Sequence, residues 1–169
     1  IVFLPDDDAV RERVREGFAQ ALRPLGLAVS GWRRVPVDDS VCGAQAKASM
    51  PAIEQLFVVP VLDVEGARMT PDAFDHALYL GRRRAEQALR ETQGETSGVY
   101  VVSLSASSIG YKGMVLPQYL PQLYPDLQRA DLASSAVVFH QRFSTNTSPR
   151  WPLAQPFRLL AHNGEINTI

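Results

Sequence analysis

The chain has 169 residues, 17 Lys+Arg against 18 Asp+Glu, a formal net charge of -1 and a single cysteine. Its 46% hydrophobic and 21% charged residues are the balance of one globular domain or a piece of one, which excludes a disordered tail, a collagen-like repeat and a disulfide scaffold. A charge so near zero gives no electrostatic case for nucleic acid or an anionic membrane as the main partner, and one Cys closes neither an internal disulfide nor a Cys-based zinc site, so the expected compartment is the reducing cytoplasm.

The chain opens on Ile1-Val2-Phe3-Leu4 and stops at Asn167-Thr168-Ile169, with no initiator Met, no basic stretch ahead of an apolar core and no apolar run long enough to span a bilayer. The expectation is an internal fragment of a longer chain. Arginine outnumbers lysine by 15 to 2, which reads as codon bias before function because the arginines are scattered. Pro5 and Asp6-Asp7-Asp8 then supply caps and negative charge for a helix N-terminus. Val10, Val14, Phe18, Ala21 and Leu22 recur at helical spacing, predicting an amphipathic helix over about residues 8–23.

Residues 27–37 turn to an extended pattern broken by Gly31 and Pro36, and residues 53–59 form a short run rich in β-formers; both predict strands. Thr70-Pro71-Asp72 is a helix start with a capping hydroxyl and proline at the first helical position. Phe74, Ala77, Leu78, Gly81, Ala85, Ala88 and Leu89 mark one face of that helix, which ends near Gly94. Residues 99–104 and 109–115 flank the small polar segment 105–108 and predict a hairpin. A short helix over residues 117–127, a strand over 136–140 and a last strand over 158–161 complete the series. Helices early and strands late predict an α+β class with an antiparallel sheet. No glycine-rich phosphate loop follows any strand, so a nucleotide site is not supported.

Polar residues with directional hydrogen bonding concentrate in the last part of the chain, at the ends of predicted strands, where a rigid sheet can present side chains to a ligand. Arg142 leaves an apolar strand ahead of Phe143, where it either closes a structural ion pair or binds a carboxylate bidentately. Asn163-Gly164 is a hairpin signal, or else an oxyanion hole in which the Asn amide and the Gly N–H converge on one developing negative oxygen. His140 and His162 lie beside apolar strands and favour a structural role over metal ligation, since no carboxylate or Cys completes a ligand set; no metal is expected. Cys42 has no neighbouring base and reads as an inert thiol. Arg82-Arg83-Arg84 is most simply a solvated helix face, and Asn146-Thr147-Ser148 matches a glycosylation acceptor that has no meaning in a cytoplasmic protein.

Taken together, Arg142-Phe143-Ser144-Thr145-Asn146-Thr147, Trp151-Pro152-Leu153-Ala154-Gln155-Pro156-Phe157-Arg158 and His162-Asn163-Gly164-Glu165-Ile166-Asn167-Thr168 resemble the class II glutamine amidotransferase domain of glutamate synthase large subunits. The match is close to continuous from residue 135 to the end. It has upstream echoes in Tyr111-Lys112-Gly113-Met114 and Tyr124-Pro125-Asp126-Leu127 and a looser pattern over the rest.

The resemblance implies an N-terminal nucleophile hydrolase fold, a four-layer αββα sandwich with antiparallel sheets, incomplete in this chain. Residues 1–169 would then be part of a single class II glutamine amidotransferase domain that lacks its N-terminal nucleophile segment and its C-terminal part. In that family an N-terminal cysteine attacks the side-chain amide of glutamine, with its own α-amino group as general base. Arg142 would hold the α-carboxylate of L-glutamine, Thr145 and Asn146 would lie beside it as lesser contacts, Asn163 and Gly164 would form the oxyanion hole, and Glu165 would assist at the α-amino group. Residue 1 is Ile, and Cys42 cannot replace the missing nucleophile because its nitrogen is locked in a peptide bond. The fragment alone is therefore expected to be inactive, and poorly stable.

The parent protein would use the ammonia to convert 2-oxoglutarate to glutamate in another domain of the same chain. There the resemblance implies FMN, an iron-sulfur cluster and electrons from NAD(P)H or ferredoxin, with a small electron-transfer subunit as a candidate partner. None of those cofactors has a binding signature in these residues. Three alternatives stand beside this reading: another class II amidotransferase, against which the 151–157 segment argues; a non-catalytic glutamine-binding or interaction module; and an RNA-binding domain using Arg82-Arg83-Arg84, which the net charge disfavours.

Overall fold

The computed structural model describes residues 1–62, 66, 68–93, 98–141, 148–155 and 157. In chain order the elements are β1 (Val2–Leu4), α1 (Asp8–Leu22), β2 (Leu27–Arg34), α2 (Ala44–Ala48), β3 (Ala52–Pro60), α3 (Pro71–Gln93), β4 (Tyr100–Val101) and α4 (Leu120–Leu123), with single 3-10 turns between several of them. The chain divides into two compact units, one of Ile1–Arg34 with Pro51–Ile109 and one of Val35–Met50 with Gly110–Ile169.

The first unit is a four-stranded sheet in the order β2-β3-β1-β4. Every pairing in it is antiparallel, so the mixed helix and antiparallel-sheet class expected from the sequence is what forms. With α1 between β1 and β2, and α3 between β3 and β4, this is the split βαβ arrangement of ferredoxin-like sheets. Helix α1 starts where Asp7 accepts a hydrogen bond from the Val10 N–H at 2.9 Å, one of the donors a helix N-terminus otherwise leaves unpaired. Val14, Phe18 and Leu22 follow at four-residue spacing and are buried. Each such side chain contributes about 1.5–3 kcal/mol on leaving water.

These residues share one core with Val2 and Leu4 of β1, Ala52 and Leu56 of β3, Val101 of β4 and Ala77, Leu78, Ala85 and Leu89 of α3. Both helices therefore cover the same face of the sheet. They approach closely because α3 carries Gly81, where a Cβ would stand 2.5 Å from the Leu22 Cδ2. Phe3, pointing the other way by strand alternation, meets Tyr100 with ring centroids 6.1 Å apart.

One charged group enters this layer. Glu54 is buried on β3, on the face that receives α1, and Arg15 of α1 closes on it bidentately, Nε donating to Oε2 at 3.1 Å and a second guanidinium nitrogen to Oε1 at 2.7 Å. The Arg15 guanidinium also lies 5.9 Å from the Trp32 ring centre, and Trp32 packs edge-on to Phe18.

Two elements differ from the sequence expectation, and a third falls outside the described residues. The predicted hairpin across residues 99–115 does not form: Asp75 of α3 accepts from the Ser105 hydroxyl at 2.6 Å and from the Ala106 N–H at 2.8 Å, and residues 100–101 pair with β1 instead. Of that predicted hairpin, residues 99–109 fall in the first unit and residues 110–115 in the second. Residues 136–140 are not a strand, since their backbone has no strand partner among the described residues, and Phe139 is left 73% exposed. The predicted strand at residues 158–161 lies outside the described residues. No described helix is long and apolar enough to cross a membrane.

Candidate functional site

Arg142, Thr145, Asn146, His162, Asn163, Gly164 and Glu165 all lie outside the described residues. What the structure describes is the framework of the second unit around the segment between them, residues 148–155 and 157. Pro152 follows Trp151 and starts a 3-10 turn, Trp151–Leu153, closed by the Ala154 N–H on the Trp151 carbonyl at 3.3 Å. Proline suits that start because its fixed φ is already helical and its missing donor would have had no partner there.

Two hydrogen bonds pin the turn to residues distant in the sequence. The buried Trp151 donates its indole N–H to the Ala46 carbonyl of α2 at 3.1 Å. Lys112, 3% exposed, donates its ammonium to the Pro152 carbonyl at 2.8 Å and stands 4.9 Å from the centre of the Phe157 ring. A buried ammonium is tolerated only where carbonyls and ring faces replace its water. The backbone of Lys112 is held in turn by Tyr124, whose hydroxyl donates to the Lys112 carbonyl at 2.8 Å. Tyr111 stacks edge-on to Tyr124 at 5.1 Å and donates to the buried Asp126 at 3.3 Å. Gly113 completes the fit, because a Cβ there would meet Leu123 at 2.8 Å and Trp151 at 3.1 Å. The Asp38 N–H donates to the Leu123 carbonyl at 2.9 Å, tying residues 35–50 into the same framework.

Gln155 ends this anchored segment and is 8% exposed, and its side-chain oxygen has no hydrogen-bond partner among the described residues. Sequence reading gave neither Lys112 nor Gln155 a role. Lys112 carried a signal, being one of only two lysines in an arginine-rich chain and set between Tyr111 and Gly113 in an apolar stretch. Gln155 carried none apart from its neighbours.

The remaining candidates are plainly placed. Cys42 is buried, and burial, with the Asp39 carboxylate adding to it, pushes its thiol above the ordinary range; the backbone N–H of Cys42 donates to the Asp39 carbonyl at 3.0 Å. That is the setting of an inert thiol. Arg82 and Arg83 converge on Glu86, at 2.8 and 3.1 Å, so the basic run on α3 is partly neutralised by its own helix. His140 is exposed, and among the described residues no group of His, Cys, Asp and Glu could hold a metal ion.

The sequence profile of the family described as "Glutamine amidotransferases class-II" matches residues 1–169. Among individual proteins, the chain is 44% identical over 169 residues to ferredoxin-dependent glutamate synthase 2, chloroplastic, of Arabidopsis thaliana, covering 100% of this chain and 10% of that protein. It is 46% identical over 145 residues to the glutamate synthase (NADPH) large chain of Azospirillum brasilense, covering 86% and 9%. It is 39% identical over 170 residues to glutamate synthase (NADH) of Schizosaccharomyces pombe, covering 100% and 8%. The chain thus spans about a tenth of the length of the curated relatives it matches.

Proposed function

This chain belongs to the class-II glutamine amidotransferases, and from that premise we propose that it is the glutamine-hydrolysing part of a glutamate synthase large chain. The reading is carried by the 44% identity that runs over all 169 residues to a glutamate synthase. Both compact units are then parts of a single amidotransferase domain, whose four-layer αββα sandwich is incomplete in these residues.

In this reading L-glutamine is held by its α-carboxylate on the Arg142 guanidinium, which matches a carboxylate with two parallel N–H donors. Thr145 and Asn146 flank that contact and Glu165 accepts from the α-ammonium. A thiolate attacks the side-chain amide carbon, and the negative charge that grows on the amide oxygen is met by the Asn163 side-chain N–H and the Gly164 backbone N–H. Ammonia leaves, and water releases glutamate from the acyl-enzyme. Cys42, the chain's one cysteine, does not supply that thiolate: its thiol is buried and its nitrogen is an amide engaged with Asp39. The nucleophile and its α-amine base belong to the rest of the parent.

The ammonia serves to convert 2-oxoglutarate to a second glutamate in another domain of the parent. A chain with one cysteine does not supply the several thiolates an iron-sulfur cluster needs. The cluster therefore belongs outside these residues, and the reading assigns FMN, the site for NAD(P)H or ferredoxin and any contact with a small electron-transfer subunit to other parts of the parent; no step above runs through them. The reading places this chain in the cytoplasm, while two of its relatives are named as chloroplastic.

Kinetics of the intact parent test the site assignments. Arg142→Ala is expected to raise KM for glutamine by about a hundredfold, the loss of a charge-assisted bidentate contact. Asn163→Ala is expected to lower kcat by about a hundredfold or more, with KM little changed. Both variants should still make glutamate from added ammonia and 2-oxoglutarate. A glutamine KM unmoved by Arg142→Ala, or a kcat unmoved by Asn163→Ala, removes that residue from the site.

A further inference from the structure

The buried polar groups of the second unit differ in one respect. Lys112, Tyr124 and the Trp151 indole each have a partner. The side-chain oxygen of Gln155 is shielded from solvent and has no donor among the described residues. An amide oxygen taken out of water without a donor is disfavoured, and in a folded protein such a group calls for a reason.

Gln155 lies two residues past the Trp151–Leu153 turn, which is tied to its surroundings by the Trp151 indole on the Ala46 carbonyl and the Lys112 ammonium on the Pro152 carbonyl. In chain order it falls between Arg142 and Asn163-Gly164, the two halves of the site proposed above. A group kept dry and without a donor among the described residues is a ready acceptor, because a ligand that brings an N–H meets it without displacing water from it.

We propose that Gln155 is a further substrate-binding residue of the glutamine site, its side-chain oxygen accepting a hydrogen bond from an N–H of bound glutamine on a backbone that Lys112 and Trp151 hold in place. The inference rests on the function proposed above. Glutamine carries suitable donors at two ends, the α-ammonium and the side-chain amide, and the product glutamate keeps only the first.

The test is Gln155→Met in the intact parent, a substitution that keeps length and removes the acceptor. KM for glutamine should rise about tenfold or more with kcat changed far less. Amide hydrogen exchange over residues 148–155 should be unchanged or slower, since an orphan acceptor has been removed. Inhibition by glutamate separates the two donors: a matching loss of glutamate affinity assigns the α-ammonium, and retained affinity assigns the amide.

An unchanged KM overturns the proposal, whether exchange slows (an unused orphan) or quickens (an acceptor serving the fold of the parent). If Met both raises KM and loosens the segment, Gln155→Glu decides, because it restores an acceptor of the same shape. Recovery of KM sustains the proposal, and a KM as high as that of the Met variant overturns it. An unsubstituted parent that releases no ammonia from glutamine defeats the function itself, a failure visible before any substitution is made.

Discussion

Tyr124 carries its hydroxyl into a setting with no water to spare. Burial, chiefly, holds its ionisation well above the ordinary phenol range, so the group is a fixed donor, and its proton goes to the Lys112 carbonyl. Tyr124→Phe keeps the ring against Tyr111 but removes the buried hydrogen bond from its hydroxyl to that carbonyl, which costs about 1–3 kcal/mol. Amides of residues 110–128 in the intact parent should then exchange roughly tenfold faster or more; exchange at the wild-type rate would mean that the hydroxyl contributes nothing. Cys42 makes the opposite prediction. With its thiol buried and pushed upward, it should resist alkylation near neutral pH in the folded protein, and Cys42→Ala should leave glutamine hydrolysis within about twofold of wild type. Fast labelling at neutral pH, or lost hydrolysis, would contradict the inert reading.

Among the elements, α1 and β3 are joined by the one buried carboxylate of the first unit's described core, Glu54, under Arg15 with Arg11 3.9 Å away. Removing Arg15 takes the bidentate partner from a buried carboxylate and leaves it with Arg11 at 3.9 Å, at a cost of about 3 kcal/mol. Arg15→Ala should therefore raise exchange of the α1 and β3 amides about a hundredfold, whereas loss of an exposed pair such as Arg129 with Asp131 should change it little. Equal effects of the two would deny the cluster its structural role.

The elements that were legible in the sequence are those whose reasons are local. Helix α1 was announced by Asp7 and the four-residue spacing of Val14, Phe18 and Leu22, α3 by Thr70-Pro71, and the break in β2 by Gly31, where the register with β3 shifts. What failed depended on distant partners. Nothing near residues 105–108 reveals that Asp75 takes the Ser105 hydroxyl and the Ala106 N–H, and apolar residues 136–140 read as a strand whether or not a neighbour exists to pair with. The candidate site was legible as a resemblance carried by short motifs at 142–147 and 163–165. Lys112 and Gln155 were not, because their significance lies in contacts across the second unit and in a missing one.

For the whole molecule, two compact units make up a chain that spans about a tenth of its relatives' length. Val137, Val138 and Phe139 stand exposed in succession. The function proposed here belongs to the parent and has ammonia from one site feed another. The most direct test supplies the intact parent with 2-oxoglutarate, its reductant and glutamine carrying heavy nitrogen only at the side-chain amide, then locates the label in the glutamate formed. The account predicts heavy nitrogen in the α-amino group of one product glutamate, and its loss when Asn163 is replaced by Ala. Glutamate made without the label, or glutamine bound and returned intact, would contradict it.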